Sequence, residues 1–149
     1  MTGRRMSFDK DDSAGYLANH MARLFAAALT RRIAPLGLMP GQFMVLLELW
    51  REEGLTQRDL VERLDVEQAT IANTLNRMER DGLILREPDA ADRRARRVRL
   101  TDRARALEAP ATEAATEVNG IALARLAPED RARFAALLQT VIAGLREGR

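Results

Sequence analysis

The stretch LTQRDLVERLDVEQATIANTLNRMERDGLILREPDAADRRARRVRLT, residues 55–101, carries the clearest structural pattern in this chain. Thr56, with Asp59 three residues on, has the form of a capping box and starts a short helix with Leu60 and Leu64 inside. After a break at Leu64 to Val66, the span Glu67 to Arg80 places Ile71, Leu75 and Met78 on one helical face, and Asp81 with Gly82 forms its stop. The pattern then turns from helical to extended. Leu83, Ile84 and Leu85 on one side and Val98 and Leu100 on the other, with Pro88 to Ala95 between, predict a β-hairpin.

Helix, tight turn, helix and two-stranded hairpin is the order of a winged helix-turn-helix, whose second helix enters the major groove of DNA. Helical geometry tests that expectation. With Ile71, Leu75 and Met78 inward and 100° per residue, the opposite face carries Ala69, Thr70, Asn73, Asn76 and Arg77, and no acid stands at its centre. Asn pairs with adenine, Arg with guanine, and Ala or Thr touches the thymine methyl. Gln68 adjoins this face, and Thr56 and Gln57 open the preceding helix, so these three join the candidate DNA contacts.

The hairpin carries more charge than its surroundings. Arg93, Arg94, Arg96, Arg97 and Arg99 fall within seven residues that hold no acid. Such a ribbon repels itself unless an anion compensates, and DNA phosphates accept arginine forks while a narrow minor groove admits an arginine from a hairpin tip. The bland alternative is a solvated edge strand guarded by charge. Arg86, Arg93, Arg94 and Arg96 are therefore DNA candidates, and Asp92 supports the tip by pairing Arg94 or by accepting backbone amides.

Working outward, Leu17, Met21, Leu24, Phe25 and Ala28 form the stripe of a long first helix between Ser13 and Ala34. Pro35, Gly37 and Pro40 mark a turn, and Phe43, Leu46, Leu47 and Trp50 define a second helix that ends by Gly54. Thr101 caps a helix running through Leu107 and past Pro110, where the missing amide should kink or break it. Ala127 and Pro128 open a last helix with Phe134, Leu137, Leu138, Val141, Ile142 and Leu145 along one stripe. The expected fold is thus mainly α with a minor β component: a winged helix-turn-helix with a helical dimerisation platform from both chain ends. Residues 1–38 form the first dimerisation region, 39–101 the DNA-binding lobe and 102–149 the second dimerisation region.

Two terminal stripes of this length exceed what one small lobe can cover. A second copy would cover them through Leu17, Met21, Phe134, Leu137, Leu138, Val141 and Leu145; a monomeric bundle is the alternative. A sensor pocket is a further candidate. Tyr16, His20 and Leu24 share a face of the first helix, and Phe43, Met44, Leu47 and Trp50 come from the second, which together could suit a small aromatic acid. The bland reading is the stronger: a lone His on an amphipathic helix is usually structural or solvated, and Phe43, Leu47 and Trp50 are most simply core.

Composition sets the outer bounds. The chain has 149 residues, 46% hydrophobic and 31% charged, the balance of a globular domain. It has no cysteine, which excludes thiolate chemistry, disulfides and cysteine metal sites. Lys10 is the single lysine beside 23 arginines, and the formal net charge is only +2, so what counts is where the arginines cluster. One histidine, no glycine-rich phosphate loop and no clustered metal ligands leave little for an enzyme, and no cofactor or metal is expected. Arg4 and Arg5 are followed by Asp9, Asp11 and Asp12 instead of an apolar run, so a soluble cytoplasmic protein is expected.

At these residues the chain resembles the MarR family of bacterial regulators. Met39-Pro40-Gly41-Gln42-Phe43, Leu55-Thr56-Gln57, Leu64-Asp65-Val66, the stretch Leu75 to Arg86, and Asp92-Arg93-Arg94-Ala95-Arg96-Arg97-Val98-Arg99-Leu100-Thr101 carry the likeness. The resemblance implies a homodimeric repressor or activator, with interlocked terminal helices and a ligand pocket between that platform and the DNA-binding lobe. It places Arg94 on the wing-tip arginine that enters the minor groove and Asp92 on its supporting acid. Ala69, Thr70, Asn73 and Arg77 fall on the major-groove helix. Ala104, where the family often has Gly, and Pro110 depart from the pattern. A pseudo-palindromic duplex operator, a second copy and a small effector are the implied partners. The alternative from another class is a winged-helix interaction module docking on an acidic protein or RNA without operator specificity.

Overall fold

The computed structural model describes residues 7–149; Arg4 and Arg5 lie outside them. Helix α1 spans Ala14–Ile33, with the Ser13 hydroxyl accepting the Tyr16 amide at 3.3 Å. A 3-10 turn, Ala34–Leu36, leads into Gly37, whose φ of 78° suits a residue without Cβ. Helix α2, Pro40–Arg51, has Pro at its first position, and the Gln42 side chain accepts the Met39 amide at 3.1 Å.

Strand β1, Leu55–Thr56, precedes α3, Gln57–Leu64. The capping box forms as expected: Asp59 N donates to the Thr56 hydroxyl at 3.1 Å, and Thr56 N to the Asp59 carboxylate at 2.9 Å. Asp65 ends α3 in the left-handed region at φ 55° and turns the chain into α4, Gln68–Arg80. Strands β2, Ile84–Pro88, and β3, Arg96–Leu100, follow, then α5, Asp102–Ala106, α6, Glu108–Ala122, and α7, Pro128–Glu147.

The expected hairpin forms and gains a strand, and the helix after Thr101 needs correction. The hairpin is part of a three-stranded antiparallel sheet in the order β1-β3-β2, with Leu55 opposite Val98 and Ile84 opposite Leu100. A two-residue strand shows no periodicity, so β1 is visible only through its partner. The helix after Thr101 breaks at Leu107, before Pro110 and not beyond it. A proline ring clashes with the carbonyl four residues back. For Pro110 that carbonyl belongs to Ala106, the last residue of α5, so α6 restarts with the proline in its first turn.

The described residues fall into two compact units, one up to Ala115 and one from Thr116. In the first, Ile71, Leu75 and Met78 of α4 bury against a core that includes Leu46, Leu49, Leu60, Leu83, Ile84 and Val98. Each such side chain contributes roughly 1.5–3 kcal/mol relative to exposure. Two polar fasteners tie the end of α2 and the turn after it to β3 and α5. Trp50 Nε1 donates to the Ala104 carbonyl at 3.0 Å, and the Glu53 carboxylate accepts the Leu100 amide and Arg105 Nη2, both at 2.9 Å. The second unit holds the last turns of α6 and all of α7, whose Leu137, Val141, Ile142 and Leu145 are exposed. No single helix among the described residues is long and apolar enough to cross a membrane.

Candidate nucleic-acid interface

Because α4 buries Ile71, Leu75 and Met78, it turns Gln68, Ala69, Thr70, Asn73, Asn76 and Arg77 outward, and all six are exposed. Beside it the hairpin tip is shaped by two aspartates. Asp92 Oδ1 accepts the Arg94 amide at 2.9 Å and Asp89 Oδ1 accepts the Ala91 amide at 3.0 Å, two side-chain-to-backbone turns that close the loop. Backbone bonds from Asp89 N to Ala95 O and from Ala95 N to Asp92 O brace the same loop. Of the two roles expected for Asp92, the amide is the one realised.

The five wing arginines divide into two groups. Arg97 Nη1 donates to the Gly54 carbonyl at 2.8 Å and its Nη2 lies 3.4 Å from Asp89; Arg99 Nε pairs with Glu87 at 3.2 Å. Arg99 also covers Gly54, where a Cβ would come within 3.0 Å of its Nη1. These two arginines therefore tie the sheet together, and the ribbon is less self-repelling than its composition implies. Arg93, Arg94 and Arg96 are exposed, and their guanidinium groups have no hydrogen bond or ion pair among the described residues.

An open groove of about 510 Å³ runs between the wing and the paired helices. Thr56, Gln57, Gln68, Arg86, Asp92, Arg94 and Arg96 meet there, so most of the expected DNA contacts line one depression. Thr56 has its hydroxyl engaged in the α3 cap, and Arg86 is turned inward, with its side chain only 16% exposed. Arg86 is thus a strut between β2 and α4, not an open phosphate contact. Arg58, absent from the expected set, also lines the groove, paired with Glu62 one turn on; projecting α3 as a helix from Thr56 would have found it. The Ala91 amide, and then Arg97, hold the Asp89 carboxyl below its usual range, so the tip stays anionic at its base and cationic at its rim.

The other end of α4 is also anchored. Gln42, a buried polar residue in the first unit, donates Nε2 to Asp81 Oδ2 at 3.0 Å, and Arg103 reaches the Asp81 carbonyl. That amide and then Arg80 depress the Asp81 carboxyl.

The expected sensor residues differ in burial. Tyr16 and His20 meet edge-to-face at 6.3 Å on an exposed face of α1, with the Lys10 ammonium 5.5 Å from the Tyr16 ring. Leu24, Met44 and Leu47 are exposed. Phe43, by contrast, is a core residue, packed edge-to-face at 6.1 Å on Trp50, whose indole NH is held by Ala104. Those two are built into the lobe and do not form an open wall. Of the expected dimer residues, Leu17, Leu137, Val141 and Leu145 are exposed and Met21, Phe134 and Leu138 half-buried. Among the described residues no group of three acidic or imidazole side chains is placed to hold a metal ion.

The family model described as MarR family matches residues 38–95. The HTH-type transcriptional regulator TtmR of Methylorubrum extorquens (strain PA1) is 33% identical over 107 residues, 72% of this chain and 55% of that protein, so the chain matches only about half of that relative's length. Among solved structures, the PcaV transcriptional regulator of Streptomyces coelicolor, in complex with its natural ligand, is 28% identical with a TM-score of 0.83, covering 92% of this chain and 96% of that one. BpsR of Bordetella bronchiseptica, whose DNA binding is regulated by 6-hydroxynicotinic acid, is 25% identical with a TM-score of 0.83, covering 91% and 96%.

Proposed function

The chain belongs to the MarR family, and on that premise we propose that it is a homodimeric transcriptional regulator, a repressor of nearby genes that a small ligand releases from its operator. The observation that carries this reading is the wing tip, where Arg93, Arg94 and Arg96 stand without internal partners beside the acid-free outer face of α4. In this reading α4 occupies the major groove through Ala69, Thr70, Asn73, Asn76 and Arg77, while Arg94 enters the adjacent minor groove, positioned by Asp92.

The segments 1–38 and 102–149 dimerise, and 39–101 binds DNA. The exposed apolar side chains Leu17 on α1 and Leu137, Val141 and Leu145 on α7 support a second copy as their cover. A closed twofold dimer would space two recognition helices about 34–36 Å apart and call for half-sites about 10 base pairs apart. The ligand class, an aromatic acid, follows the likeness to BpsR and the aromatic faces of α1; to act, it must bind the two dimer conformations unequally, by about 1–3 kcal/mol. A cytoplasmic location goes with this role.

The test is to incubate the full chain with sheared genomic DNA at near-physiological salt and to sequence what it retains. A few enriched sites sharing an inverted repeat support the regulator. Uniform recovery, or none, favours an interaction module that docks on an acidic protein or RNA.

A further inference from the structure

Asn76 lies exposed on α4, yet its amide is not free to choose an orientation. Arg86 Nη2 donates to Asn76 Oδ1 at 2.7 Å, and since a guanidinium offers only donors, the amide atom it faces is the oxygen. Arg86 is itself immobilised: it reaches across from β2 with 16% of its side chain exposed, and its buried Nε has no hydrogen-bond acceptor, the nearest carboxylate oxygen, on Glu79, lying 3.6 Å away. We propose that Arg86 is a positioning residue that holds Asn76 with its NH2 group outward, making Asn76 a donor-only reader of one base pair. The proposal rests on the DNA-binding reading above.

The chemistry follows from the edges of the bases. A free Asn matches adenine by accepting from N6 and donating to N7. With its oxygen turned to the wing strand, Asn76 retains the donor alone, which suits guanine, with O6 and N7, or the O4 of thymine. The identity of residue 76 points the same way. Arg86 carries a buried charge whose compensation by Glu79 is beyond hydrogen-bond distance, so a carboxylate at position 76 would stabilise the fold better than the neutral amide found there. A position that forgoes available stability is where a functional constraint is expected.

The experiment selects randomised duplexes with the full chain at fixed salt, then repeats the selection with Asn76→Asp, Asn76→Ala, Arg86→Met and Arg86→Lys, with a thermal melt for each. Wild type should prefer guanine or thymine about tenfold at one position of each half-site. Asn76→Ala should erase that preference alone. Asn76→Asp should melt higher than wild type and shift the same position toward cytosine, whose N4 donates to a carboxylate. Arg86→Met should admit adenine there, and Arg86→Lys should restore the wild-type pattern.

The inference is overturned if the Asn76 variants leave every position unchanged, or if Arg86→Met weakens all sequences alike with the preference intact. Should Arg86→Met fail to fold, Asn76→Asp decides by the same reading. If wild type enriches no shared sequence, the DNA-binding reading itself fails and takes this one with it; if it enriches a site that none of the variants alters, only this inference fails.

Discussion

Arginines three residues apart in the wing have opposite fates, and two substitutions separate them. Arg94 has no internal partner, so Arg94→Ala should leave the melting temperature unchanged while lowering DNA affinity and reducing the magnitude of the log–log salt slope by about 0.9. An unchanged slope across a salt series would remove Arg94 from the interface. Arg97 bonds the Gly54 carbonyl and flanks Asp89, so Arg97→Ala should instead destabilise the fold by about 1 kcal/mol, measured by denaturant unfolding. Glu53 adds a pH dependence. The Leu100 amide, and then Arg105, hold its carboxyl below the usual range. A carboxyl whose pKa is lower in the folded state stabilises the fold above the ordinary carboxylate range, and that contribution is lost as pH falls through the depressed value. Comparing wild type with Glu53→Gln should therefore show a stability gap at neutral pH that closes on acidification; a gap that persists at low pH would assign the effect to packing.

Helices and strands in the first unit begin and end where side chains take over from backbone. Thr101 illustrates this twice, since its hydroxyl accepts the Ala104 amide at 3.2 Å and donates to the Gly82 carbonyl at 2.7 Å, tying the start of α5 to the end of α4. Thr101→Val keeps the shape and loses both bonds. A loss of about 1–2 kcal/mol is expected in denaturant unfolding, and a change below a few tenths would show that α5 needs no cap. The same element logic explains where the readings of sequence diverge from the structure. A capping box and a 3.6-residue stripe are local, so α3 and α4 are legible residue by residue. Strand β1 is not, because two residues carry no pattern and its register is set by Val98 and Arg97, more than 40 positions away. The break at Leu107 also has a local cause, but one that acts backwards, through the carbonyl that Pro110 excludes.

For the whole molecule, exposed apolar side chains on helices near both ends of the chain are the feature that one copy leaves unexplained. Burying the half or more of Leu137, Val141 and Leu145 that is exposed would gain roughly 1–2 kcal/mol each. In the proposed dimer, Val141→Asp should therefore shift the chain toward monomer in sedimentation equilibrium and weaken binding to a two-half-site operator far more than to a single half-site. A variant that still sediments as wild type would place the second copy elsewhere.

The order of helices and hairpin, the inward face of α4, the capping residues and the acid-free outer face are legible in the chain itself, because each depends on neighbours within a turn or two. Which arginines remain available is set by folding. Glu87, Asp89 and the Gly54 carbonyl engage Arg97 and Arg99, α4 draws Arg86 inward, and Arg93, Arg94 and Arg96 are left at the rim. Folding likewise decides that Phe43 and Trp50 belong to the lobe, since the Ala104 carbonyl that holds the indole lies 54 positions away. Charge and aromatic character are properties of residues, whereas availability depends on the partners that folding brings within about 3 Å.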